Sequence, residues 1–139
     1  MERAMLWLDD GSFRYRADAP YIFEHISFSI KGGEVFALLG RNGVGKSTLL
    51  ACLMGFQELT QGRIYTNGQN IYAMSPRERA REIAFVPQII NAERSFTVRD
   101  YVSFGATVRT GMFSAPSKAD YAQMDVILEE LGIAHIRDR

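Results

Sequence analysis

Residues 35–50 read VFALLGRNGVGKSTLL, and the order of residue types within them decides the fold. Val35 to Leu39 is a wholly apolar run that suits a strand buried on both faces. Gly40 opens a polar, glycine-rich loop. Ser47 to Met54 then reads as a compact apolar helix stopped by Gly55. The loop itself, Gly40-Arg41-Asn42-Gly43-Val44-Gly45-Lys46-Ser47, spells GxxxxGK[ST] between a strand and a helix, the context in which that spacing cradles phosphate. Glycines let successive main-chain N–H groups converge on an anion without interference from Cβ atoms. The helix that follows aims the positive end of its dipole at the same point. On this reading Gly40, Asn42, Gly43, Gly45, Lys46, Ser47 and Thr48 hold a nucleoside triphosphate. Lys46 bridges the terminal phosphates, the Ser47 hydroxyl takes a position on Mg²⁺, and Thr48 reaches the first phosphate. A guanine reader would need an NKxD motif, which is missing, so the expected nucleotide is ATP.

Outward from the loop, period-two alternation in IFEHISFSI (22–30) marks a half-buried strand, with Ile22, Ile26, Phe28 and Ile30 on one face. Lys31 to Glu34 is a turn. Asn67-Gly68 joins 63–66 to 69–72 as a hairpin. Ser75-Pro76-Arg77-Glu78 combines a helix-capping serine, a first-turn proline and a capping-box glutamate. Ile83 to Val86 reads as a short strand ended by Pro87. Thr97 opens a helix with Val98, Tyr101, Val102, Gly105, Val108 and Met112 in one stripe. A loop spans 111–116. Ser117 starts a last helix, with Met124, Ile127, Leu128 and Leu131 inward and Gly132 stopping it.

The chain has 139 residues, 47% apolar and 23% charged, enough for a core in one ordinary domain. Sixteen basic and sixteen acidic residues cancel, which argues against a dedicated nucleic-acid binder. A single cysteine, Cys52, excludes an internal disulfide and fits a reducing compartment; its apolar neighbours on the helix make it a core residue. No apolar stretch approaches the roughly 20 residues of a membrane span, so any link to a membrane is expected to run through a partner.

The same residues resemble the ATP-binding subunit of an ABC transporter along the whole chain. ISFSIKGGEVFALLGRNGVGKSTLLACLMG is similar to that family's first core segment, GRIYTNGQNI to the hairpin after it, and AFVPQ to the strand that ends in its Q-loop glutamine, here Gln88. FTVRDYVSFG and LGIAHIRDR resemble the helical subdomain, closest to importers of iron–siderophore, haem or cobalamin complexes. The resemblance implies an α/β fold: a P-loop core of the ABC type with an antiparallel β subdomain over residues 1–90, and part of a helical subdomain over 91–139. It implies that Tyr15, in SFRY, stacks on adenine, with Phe13 as the competing ring. It implies that Gln88 approaches Mg²⁺ and the attacking water, and that helix 98–112 faces a transmembrane subunit, with Phe96, Phe104 or Phe113 exposed for docking. The implied partners are permease subunits, a second ATP-binding subunit and, indirectly, a substrate-binding protein. Nucleic acid is not among them. The implied location is the cytoplasmic face of the membrane.

The family's LSGGQ-like signature and its acidic strand end have no counterpart. VILEE at 126–130 has helical spacing and LWLDD at 6–10 precedes the loop. His25 and His135 fit no catalytic switch. The expectation is an N-terminal portion that binds nucleotide, hydrolyses none by itself, and self-associates through unpaired sheet edges. The alternatives are a non-transport ABC ATPase, a nucleotide-binding module without catalysis, and a small-molecule kinase. The last is disfavoured because 34 residues of β-rich sequence precede the apolar run.

Overall fold

The computed structural model describes residues 5–88, 96–106 and 117–139. They fall into two units, Met1–Phe85 and Val86–Arg139, each with its own packing.

In the first unit, β1 (Leu6–Phe13) lies between β2 (Phe23–Ile30) and β3 (Gln61–Thr66), and β4 (Gln69–Asn70) closes the far edge. All three pairings are antiparallel, with Leu8 opposite Phe28 on one side and Ile64 on the other. β2 half-buries Ile26, Phe28 and Ile30, the alternate residues its sequence pattern marks. The hairpin turn places both Asn67 and Gly68 in the left-handed region, at φ 47° and 81°, as a two-residue turn matching the sheet twist needs. β1 is not regular. Its register shifts on both sides of Gly11, and Asp10 and His25 face each other with φ of 48° and 53°. Side-chain oxygens take the amides this irregularity strands: His25 N–H donates to the buried Ser12 Oγ and Asp10 N–H to Ser27 Oγ, both at 2.9 Å.

Helix α1 (Lys46–Leu53) packs Leu49, Cys52 and Leu53 into one core with Leu8, Phe13 and Ile64. Burial pushes the Cys52 thiol up to about 11, consistent with an inert packing residue. The far end of α1 is tied down by Tyr72, in the 3-10 turn Ile71–Ala73. Its hydroxyl accepts from Leu59 N–H at 3.2 Å and lies within reach of the Gln57 and Cys52 carbonyls, at 3.2 and 3.4 Å. Helix α2 (Pro76–Glu82) begins with the expected capping box between Ser75 and Glu78.

Two expected strands do not form. Residues 35–39 form no strand, and Val35 and Leu39 are 97% and 88% exposed. Residues 83–86 form none either, and Val86 is 85% exposed. A strand buried on both faces exists only between neighbouring strands, and no described segment pairs with either run. Within the first run only Leu38 packs against the core, while Phe36 stacks on Phe28 at 4.6 Å. Together these runs leave an apolar groove of about 390 Å³ between Phe28, Ile30, Phe36, Leu50, Met54 and Ile83.

The second unit holds α3 (Val98–Ser103) and α4 (Lys118–Glu130), each opened by a capping box, Thr97 with Asp100 and Ser117 with Asp120. Arg99 joins them, bonded to Asp125 at 3.2 Å and lying over the Tyr121 ring. α3 stops at Ser103 and gives way to a 3-10 turn, Phe104–Ala106, which takes in Gly105 of the expected stripe. Its expected members Val108 and Met112, and the 111–116 loop, lie outside the described residues. On α4, Met124 and Leu128 are buried, whereas Ile127 and Leu131, expected inward, are exposed. Among the described residues, α4 packs chiefly against α3 and the 3-10 turn Ala134–Ile136. Val126 to Glu130 are helical, as their spacing indicated.

Candidate phosphate-binding site

The loop 40–48 curls directly into α1. Gly45 is the residue before the first helical turn, at φ 99°, and a Cβ there would sit 2.6 Å from Ile22 Cγ2. Only glycine meets both demands. Among the described residues, the N–H groups of Gly43, Gly45, Lys46, Ser47 and Thr48 take part in no hydrogen bond. No acidic residue offsets the helix dipole in the first turn. Lys46 folds back over the loop, its ammonium donating to the Gly40 and Arg41 carbonyls at 2.7 and 2.8 Å. The cation is thereby held beside the free amides. This donor set, main-chain N–H groups plus one ammonium with no carboxylate among them, fits a polyphosphate.

The Ser47 hydroxyl is exposed at the same end. Among the described residues there is no cluster of three or more metal-ligating side chains. A Mg²⁺ there would therefore take most of its oxygens from the nucleotide and water, which suits that ion.

The two aromatic candidates separate. Phe13 is 3% exposed and stacked on Phe23, so neither face is open. Tyr15 is 63% exposed, stands edge-on to Phe13 at 5.0 Å, and places its hydroxyl 3.2 Å from Thr48 Oγ1. That last contact joins the segment after β1 to the loop's end, and no sequence pattern signals it. Gln88 is exposed and belongs to the second unit. Phe96 and Phe104 are both exposed and packed edge to face, and Phe113 lies outside the described residues. His25 is engaged with Asp10 at 2.9 Å on the sheet surface, and His135 is exposed in a 3-10 turn.

A glycine loop that presents free amides and a lysine at a helix start defines a phosphate-loop nucleotide-binding domain. Residues 23–139 match the ABC transporter family, and the chain belongs to it. It is 37% identical over 118 residues to an uncharacterised ABC transporter ATP-binding protein of Haemophilus influenzae, covering 85% of this chain and 45% of that one. It is 34% identical over 124 residues to the hemin import ATP-binding protein HmuV of Bradyrhizobium diazoefficiens, covering 89% and 44%. The structure of cbiO1 from Clostridium perfringens, part of the ABC transporter complex cbiONQ, superposes with a TM-score of 0.75 at 30% identity, over 98% of this chain and 53% of that one. The chain thus spans about half the length of these relatives. The fold is that of an ABC ATPase domain, in which the antiparallel sheet and helices described above form part. No helix among the described residues is long and apolar enough to cross a membrane.

Proposed function

We propose that the chain binds Mg-ATP as the N-terminal part of an ABC importer subunit. The observation that carries this is the loop 40–48, with five unengaged amides and the Lys46 ammonium gathered at the start of α1. Gly40, Asn42, Gly43 and Gly45 wrap the phosphates and Lys46 neutralises the terminal ones. Ser47 holds Mg²⁺ and Thr48 contacts the first phosphate. Tyr15 supplies the adenine platform. Gln88 brings its amide to the metal and the attacking water. The 1–90 segment serves as nucleotide core and 91–139 as the start of a helical subdomain that meets the permease.

In the longer subunit, two such cores close on two ATP molecules at the cytoplasmic face of the membrane, and hydrolysis drives permease subunits fed by a substrate-binding protein. The hemin-import relative supports an iron complex or a cobalamin-like molecule as cargo. The unpaired runs at 35–39 and 83–86 support further strands in the complete protein, and with them the acidic groups that phosphoryl transfer needs.

Isothermal titration of residues 1–139 with Mg-ATP tests the reading. Saturable binding is expected, lost in Lys46→Ala, with phosphate release no faster than background. Absence of binding by the unaltered chain overturns the reading. Turnover abolished by Lys46→Ala overturns its catalytic half.

A further inference from the structure

We propose that Tyr15 is a positioning residue for phosphate: its phenol donates to Thr48 Oγ1 and thereby commits the Thr48 hydroxyl proton to a phosphate oxygen. This rests on the nucleotide-binding reading and goes beyond the ring's part as a stacking surface.

The two hydroxyl oxygens are 3.2 Å apart, and either geometry of donation is open to them. A hydroxyl has one proton and two lone pairs. If Thr48 donated to Tyr15, it would have nothing left for an anion. A phosphate oxygen accepts and never donates, and a phenol is a stronger acid than an alkyl hydroxyl. Beside an anion, the chain Tyr15 O–H to Thr48 O–H to phosphate is therefore the favoured sense, and each link polarises the next. Thr48 lies in the first turn of α1, beside the unengaged amides.

The backbone holds the phenol there ahead of any ligand. Arg14 N–H donates to Thr60 Oγ1 at 3.0 Å, and the same hydroxyl lies 3.4 Å from the Arg14 carbonyl. Ile22 N–H donates to the Phe13 carbonyl at 2.8 Å and closes the 14–21 loop. Phe13, buried beneath, supports the Tyr15 ring edge-on. With both ends of the segment fixed, the hydroxyl reaches Thr48 at little further cost in order.

The experiment uses inorganic tripolyphosphate with Mg²⁺ as a probe, because it fills the phosphate site and offers no base to stack on. Titration calorimetry is run on residues 1–139 and on Tyr15→Phe, Thr48→Val, Thr48→Ser and the Tyr15→Phe/Thr48→Val double variant. Tyr15→Phe is expected to weaken tripolyphosphate binding about three- to tenfold, the range one net hydrogen bond supplies. Thr48→Val weakens it at least as much, the double variant no further than Thr48→Val alone, and Thr48→Ser restores it. Unchanged melting midpoints of the ligand-free variants separate this from a loss of folding. Unchanged or tighter tripolyphosphate binding in Tyr15→Phe overturns the inference while ATP binding by the unaltered chain leaves the wider reading intact. Failure of the unaltered chain to bind either ligand overturns both.

Discussion

β1 and the run 35–39 are both short, apolar-rich segments of the first unit, and they end in opposite states. β1 has hydrogen-bonded neighbours on both sides, and Leu8 at its middle is wholly buried. The 35–39 run has no pairing partner among the described residues, and its side chains lie mostly in the open. Apolar content alone does not make a strand. β1 finds antiparallel partners, which short connections can supply, whereas a segment built to be buried on both faces needs parallel neighbours delivered by longer crossovers. The difference teaches where this domain is self-sufficient: the antiparallel sheet and α1 close a core by themselves, and the phosphate loop is anchored on its helix side.

The contrast can be broken most directly by truncating side chains in the two regions. Leu8→Ala is expected to cost about 2–5 kcal/mol, as for other fully buried leucines. Val35→Ala should change stability by less than about 0.5 kcal/mol. Urea unfolding of both variants measures the gap; comparable losses would show that 35–39 is buried in solution. Self-association sharpens the same comparison. Exposed apolar runs invite pairing between copies, so sedimentation velocity should show species larger than a monomer. Leu39→Lys with Val86→Lys should shift the distribution toward monomer with no loss of stability. An unaltered chain that sediments as a sharp monomer would contradict this.

The smallest effect belongs to the β1–β2 bulge. The hydrogen bond that the His25 imidazole donates to Asp10, reinforced by the carboxylate's charge, holds the imidazole's pKa above the ordinary value. A raised folded-state value means that the pair's contribution is complete below about pH 6.5 and is lost as pH rises through the raised value. Both side chains are exposed, so solvent screens the pair. The melting midpoint should fall slightly across that window, and Asp10→Asn should flatten the slope. An equal slope in Asp10→Asn would detach the bulge from His25.

Local signals were legible in the sequence and distant ones were not. The helix starts at Ser75, Thr97 and Ser117, the Asn67-Gly68 turn and the loop-to-helix step at Gly45 all stand where the pattern put them, because each is fixed by residues within a few positions. The alternation in β2 was equally readable. The β1 bulge was not, since it depends on Ser12 and Ser27 accepting amides from the opposite strand. The same holds for the Tyr15–Thr48 contact, which spans 33 positions. The composition of 35–39 describes a buried environment that the described part of the domain does not supply.

The hydroxyl of Tyr72 gathers the end of α1 and the segment before β3 at a single point. α1 is therefore fastened at the tail while its head faces the phosphate loop. A lever pinned at one end turns small displacements at the other into rotation about the pin. Any tightening of the loop around an anion would be felt along the helix axis and passed to the β3–β4 hairpin, so amide exchange at Leu59 should slow when the distant loop is filled.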